Sequence, residues 1–287
     1  MKIALVDSGI GLLAAAAAVR RLRPDADLVL SSDPRGMPWG PRAPEDIAAR
    51  ALGCARAAAA HRPDALIVAC NTASVHALPA LRAELEPAVP VVGTVPAVKP
   101  AAAGGGPVAV WATPATTGSP YQRGLIAEFG NGARIAEVPC HGLADAVQSG
   151  DEAAIDAAVA AAAALTPAGT RAVVLGCTHY ELVGERIRRV VAAAGDGAGA
   201  RLPELYGSAR AVAAQALRRA AGPARGRTGG GGLAVLLSGV TGELPGAAVT
   251  YAEGRLLAVP GPAHTARPDG AARTAGSTAG PARRGGG

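Results

Sequence analysis

Short runs of Val, Leu and Ile alternate along the chain with alanine-rich stretches of helical length, the pattern of a parallel sheet wrapped by helices. Strands are predicted at 2–6, 27–31, 65–69, 89–92, 107–111, 134–138 and 172–176. The segments between them predict helices over 12–22, 44–60, 74–85, 117–128, 151–165 and 180–194. Proline and glycine thicken at 96–106 and at 195–203, which cuts the chain near 95 and near 205. Two stretches echo each other: residues 65–72 read ALIVACNT and residues 172–179 read AVVLGCTH. Each is an apolar strand ending in cysteine and then a polar pair that opens a helix. The expected fold is therefore α/β, with two similar parallel-sheet domains in a pseudo-two-fold relation and the active site in the cleft between them. The first domain is 1–95 plus 205–259, the second 96–204. A further hydrophobic run covers 233–240, and a strand pair is expected within 247–259.

Composition changes this picture at the C-terminal end. Aromatic residues make up 2% of the 287 residues, so the cores are expected to be built from Ala, Val, Leu and Ile. The net charge of +6 does not spread over the chain, since nine arginines against three acidic residues from position 218 onward account for all of it. A basic, Gly/Pro/Ala/Arg-rich tail over 260–287 is expected to be disordered, and no specific nucleic-acid partner is expected. Without an apolar span of membrane length or a leader pattern, a cytoplasmic protein with no membrane partner is expected. The four cysteines form no C-x-x-C pair, so no metal is expected.

Chemistry concentrates at Cys70 and Cys177. In parallel α/β sheets, ligands bind beyond the carboxyl ends of strands, where these two residues fall. A thiol at a helix start meets backbone N–H groups and the helix dipole, which can lower its pKa into the range of ~3.5 to 7.5. Free cysteine is also a common core residue, but here Asn71-Thr72 and Thr178-His179 follow where a core would take apolar side chains. Inverting a stereocentre without a cofactor requires one group to remove the α-proton and another to return a proton on the opposite face. Two thiols from facing halves suit that task.

The chain resembles the glutamate racemases of the aspartate/glutamate racemase superfamily. Asp7-Ser8-Gly9-Ile10-Gly11 is similar to their Asp-Ser-Gly-x-Gly, and Pro38-Trp39-Gly40 falls where they have Pro-Tyr-Gly. Cys70-Asn71-Thr72-Ala73 and Gly176-Cys177-Thr178-His179-Tyr180 resemble their two cysteine motifs, and Thr113 and Thr116 match a threonine pair. The resemblance implies cofactor-independent racemisation of L- and D-glutamate, supplying D-glutamate for peptidoglycan. It makes Cys70 and Cys177 the acid/bases, with Asp7 and His179 as auxiliary groups. Ser8, Pro38, Trp39, Gly40, Asn71, Thr72, Thr113, Thr116 and Thr178 would bind the amino-acid substrate, the small-molecule partner. A homodimer is the assembly that the family implies. Leu12, Trp39 and Gln148 depart from the family's glycine, tyrosine and glutamate.

Other readings stay open at this point. Gly9-x-Gly11-x-x-Ala14, with Asp33 ending the second strand, fits a relaxed dinucleotide fingerprint. An aspartate or hydantoin racemase-like relative would keep the fold and change the substrate. A degenerate paralogue would bind a protein partner without catalysis. Asp7 and Thr116 could each be a helix cap.

Overall fold

The computed structural model describes residues 1–194, 201–220 and 230–259. The basic tail expected over 260–287, and part of the break expected at 195–203, lie outside the described residues.

The first sheet is built from β1 (Lys2–Asp7), β2 (Asp27–Ser32), β3 (Ala65–Val68) and β4 (Val91–Gly93). The second has β5 (Val108–Ala112), β6 (Ile135–Pro139), β7 (Ala172–Leu175) and β8 (Glu204–Tyr206). The chain then returns to the first sheet with β9 (Leu233–Leu237) and β10 (Val240–Gly242). The strand orders are β10-β9-β2-β1-β3-β4 and β6-β5-β7-β8. All pairs are parallel except β9 with β10. The segment β2-β1-β3-β4 thus has the same order and direction as β6-β5-β7-β8, and the two cysteine-terminated strands, β3 and β7, are equivalent. The echo seen in the sequence is a repeat in the fold.

The helices are α1 (Leu12–Leu22), α2 (Pro44–Ala59), α3 (Asn71–His76), α4 (Leu78–Leu85), α5 (Val98–Ala103) and α6 (Pro120–Phe129). They continue as α7 (Leu143–Ser149), α8 (Glu152–Ala164), α9 (Gly184–Ala193), α10 (Ala209–Ala220) and α11 (Ala252–Ala258). Helix α1 is buried along its length from Leu12 to Arg20. A helix that is apolar all round belongs inside a protein, and its run of five alanines lets neighbours approach from every side. One apolar cluster accordingly runs from β1 and α1 through Trp111, Val147 and Tyr180 to α10 and Leu257, and joins the two halves. Separate clusters cover the outer faces of the sheets.

Several expectations need correction. The stretch 247–259 holds no strand pair. It forms a 3-10 turn, Gly246–Thr250, followed by α11. Its Tyr251 hydroxyl donates to Val147 O at 2.7 Å, which ties α11 to α7 across the shared core. The helix expected over 74–85 starts at Asn71 and is split at Ala77, with Pro79 in the first turn of α4, where a missing N–H costs nothing. The helix expected over 180–194 is a 3-10 turn, Thr178–Val183, running into α9.

Candidate active site

Asp7 ends β1, Cys70 follows β3, Thr113 follows β5 and Cys177 follows β7, so the two halves bring four equivalent strand ends to one place. Cys70 and Cys177 have nearly the same extended backbone, at φ −142°, ψ 122° and φ −134°, ψ 137°, each directly before a helical turn. Between them lies a cavity of about 290 Å³. Every residue that the resemblance assigned a catalytic or substrate-binding role lines it: Asp7, Ser8, Pro38, Trp39, Gly40, Cys70, Asn71, Thr72, Thr113, Thr116, Cys177, Thr178 and His179. Sequence reasoning missed the apolar part of the wall, notably Met37, Pro41, Ala115 and Ala144. A larger depression of about 560 Å³, bounded by Arg171 and Arg201, carries no candidate nucleophile.

Hydrogen bonds stitch the halves together around the cavity. Asn71 Nδ2 donates to Gly176 O at 2.9 Å, which links the turn after one cysteine to the residue before the other. Thr178 Oγ1 donates to Asp7 Oδ2 at 3.4 Å. Ile10 N donates to Gln148 Oε1 at 2.8 Å. These contacts need a close approach, which explains the glycines of the first loop. A Cβ on Gly9 would lie 2.1 Å from Gln148 Oε1, and one on Gly11 would lie 2.4 Å from Thr178 Oγ1. The loop is therefore packed against the second half, which leaves no phosphate cradle. Asp33, the other part of the dinucleotide reading, is taken up by Trp39 Nε1, Arg50 and Ser238 at 3.3, 3.1 and 2.7 Å.

The helix-cap readings also fall. Helix α1 has no side-chain cap, and α6 is capped by Ser119, which accepts from Gln122 N at 3.2 Å. Thr116 instead pairs with Thr113, their hydroxyls 3.2 Å apart. The departures from the family are absorbed as well. Leu12 is buried in the shared core, and the Trp39 indole is 1% exposed and anchored to Asp33.

The thiols do not titrate as the helix-start argument expects. Burial pushes Cys177 up to about 12, against the N–H groups of His179 and Tyr180 that favour its thiolate. Burial and then the Asp7 carboxylate raise Cys70 well above its ordinary value, with only the Ala73 N–H opposing strongly. Desolvation outweighs the weak dipole of such short helical turns. Beside Cys70, burial lifts the Asp7 carboxyl to about 7 even though Cys70, Ser8 and Thr178 all donate to it. Beside Cys177, burial lowers His179 to about 4, and its Nδ1 lies 3.9 Å from the Cys177 sulfur. Each thiol thus has a neighbour able to accept its hydrogen bond.

These two neighbours pull stability in opposite directions as pH changes. Asp7, raised from 3.8 to about 7, keeps a proton in the folded state that the unfolded chain has lost, so its contribution falls as pH rises through that window. His179, lowered from 6.5 to about 4, is neutral in the folded state while the unfolded chain still binds a proton, so its contribution rises. Asp7→Asn removes the first slope. Its Tm relative to the parent should therefore climb steadily from about pH 4 to pH 7. A Tm difference that stays flat across this range would show that Asp7 is not perturbed.

Two parallel α/β halves close on a furnished cavity, an architecture that solved racemases share. The structure superposes on Escherichia coli glutamate racemase, solved with L-glutamate and the activator UDP-MurNAc-Ala, with a TM-score of 0.70 and 29% identity over 79% of this chain and 85% of that one. It also matches glutamate racemase from Thermus thermophilus, with a TM-score of 0.63 and 27% identity over 90% and 93%. In sequence it is 39% identical to the glutamate racemase of Roseiflexus sp. (strain RS-1), over 66% of this chain and 71% of that one. The Asp/Glu/hydantoin racemase model matches residues 11–220. The chain belongs to this family and is an amino-acid racemase, an isomerase. Among the described residues, no helix is long and apolar enough to cross a membrane.

Proposed function

We propose that the chain interconverts L- and D-glutamate without a cofactor, using Cys70 and Cys177 as paired acid and base, and so supplies D-glutamate for peptidoglycan. The observation that carries this reading is the placement of both thiols on one cavity from equivalent strand ends. The names of the similar proteins support glutamate as the substrate. In one direction a thiolate takes the Cα proton, the electron pair stays on the planar substrate carbon, and the opposite thiol donates its proton there. The reverse reaction exchanges the roles.

Burial favours the thiol form of both cysteines, which suits the donor role, whereas the base role needs the thiolate, a strong base that is scarce at neutral pH. Asp7 accepts the Cys70 hydrogen bond, so it is placed to orient that S–H in the cavity. Asn71, Thr72, Thr178, Ser8, Thr113 and Thr116 supply hydroxyl and amide groups to the substrate's ammonium and carboxylates. Pro38, Trp39 and Gly40 form the facing wall. Residues 1–95 with 205–259 and residues 96–204 are assigned as the two domains. The return of β9 and β10 to the first sheet supports the division, while β8 in the second sheet moves its second boundary past Tyr206. A cytoplasmic setting, which keeps thiols reduced, suits all four free cysteines.

The test follows optical activity with L- and D-glutamate, L-aspartate and a 5-substituted hydantoin. Glutamate of either hand should lose its optical activity without added cofactor, while aspartate and hydantoin should turn over at least about 100-fold more slowly. Faster turnover of aspartate or hydantoin than of glutamate would overturn the substrate assignment.

A further inference from the structure

We propose that Gln148 is a positioning residue that holds His179 in the single tautomer able to accept the Cys177 S–H hydrogen bond; this rests on the two-thiol reading above. The orientation of its amide is settled by a backbone group. Ile10 N–H can only donate, so the Gln148 atom 2.8 Å from it is the oxygen. That same oxygen lies 3.0 Å from His179 Nε2. An amide oxygen has only acceptor capacity, so Nε2 must carry the imidazole proton. Nδ1 is then the ring's lone-pair nitrogen, and it is the atom 3.9 Å from the Cys177 sulfur. The Cys177 S–H therefore points to an acceptor whose state is set from the other side of the ring.

The surroundings hold this arrangement in place. His179 is 4% exposed, and the first loop sits directly on the pair. A Cβ at Gly9 would strike Gln148 Oε1 at 2.1 Å, and one at Gly11 would come within 2.7 Å of His179 Nδ1. Gln148 stands on α7 in the second half, whereas Ile10 belongs to the loop after β1 in the first. The tautomer is thus tied to the docking of one half on the other. The titratable groups around the ring are Cys177 and Glu181 on its own turn, Asp7 after β1, Cys70 after β3, Cys140 after β6 and Asp145 on α7. None is cationic, and Gln148 is neutral with its oxygen already accepting from two donors. No anion is bonded to Nε2 to favour a doubly protonated ring, so Nδ1 stays free to accept.

Nitrogen-15 NMR of the full chain labelled at histidine tests this directly, with His179 assigned by its loss in His179→Asn. In the parent at pH 7, Nδ1 should resonate as an unprotonated nitrogen and Nε2 as a protonated one. Gln148→Met removes the acceptor, so the His179 signals should move toward averaged or reversed tautomers and kcat for glutamate should drop at least about tenfold, with KM little changed. Gln148→Glu restores an acceptor for both Ile10 N–H and Nε2–H. It should recover the parent tautomer at pH 8 while raising the pH at which the ring becomes doubly protonated, a shift that a merely structural role would not produce. A protonated Nδ1 in the parent, or unchanged spectra and kcat in Gln148→Met, would overturn the proposal. The spectra of the parent and of Gln148→Glu test it even if the methionine variant fails to fold. A parent that shows the expected tautomer but does not racemise glutamate would fail the substrate reading and leave the positioning role standing.

Discussion

Replacing either Cys70 or Cys177 with serine is expected to slow racemisation about 10²–10⁴-fold in both directions, the usual worth of a positioned acid or base. Both directions should suffer because the proposed mechanism uses both thiols in every turnover, one to remove the proton and one to return it. A serine hydroxyl has nearly the shape of the thiol, so the cavity and the Asn71–Gly176 bridge should survive the change. What is lost is the acid/base group. Cys54 provides the comparison: it is 4% exposed and packs in the core of the first sheet without lining the cavity. Cys54→Ser should leave the rate near that of the parent. Initial rates from L- and from D-glutamate check this, and full activity in either Cys70→Ser or Cys177→Ser would remove that thiol from the mechanism.

Gly11→Ala should cost about 100-fold in activity although it adds a single methyl group. The reason is space and not backbone freedom, since Gly11 has φ −57°, ψ −25°, a conformation open to any residue. Its Cβ would sit 2.4 Å from Thr178 Oγ1, 2.5 Å from Asp7 Oδ2 and 2.7 Å from His179 Nδ1. Three groups of the site would have to move at once, and all of them are buried. The two halves would be pushed apart where Asp7 meets Thr178 and where Ile10 meets Gln148. Steady-state kinetics and a thermal melt check this, with loss of both activity and Tm expected. Activity equal to that of the parent would show that the halves need not dock this closely for catalysis.

The strands that carry the site were readable because each is a short β-branched run bounded by a charged residue, proline or glycine. The ends of β3 and β7 were placed to within a residue, and with them both cysteines. Elements that lack such signals were missed. Strand β8 has three residues, and α5 carries Pro100 within its six. Helix α7 is seven residues long between Gly142 and Gly150, both at positive φ, and those flanking glycines were its only local marker. The segment after 246 misled because short apolar runs do not distinguish strand from helix.

Within the site, residue identities were legible and their electrostatics were not. A helix start argued for acidic thiols, but burial depends on how two distant halves close over them, and it reverses the sign. The role of Gln148 was hidden for the same reason. Its partner Ile10 stands 138 residues away, and no local pattern links the two. The glycines of the first loop also fit a relaxed dinucleotide fingerprint in sequence, and what excludes a phosphate cradle is the second half packed against them.

Proton transfer at Cα tests the two-thiol arrangement most directly. The parent enzyme is incubated in D₂O with one enantiomer of glutamate, and both enantiomers are analysed by mass spectrometry early in the reaction. Deuterium is expected in the newly formed enantiomer and almost none in the remaining substrate, because in the two-thiol mechanism one thiol takes the substrate proton and the other delivers a solvent-derived one. Equal labelling of both enantiomers from the start would mean that a single base serves both faces, and would contradict it.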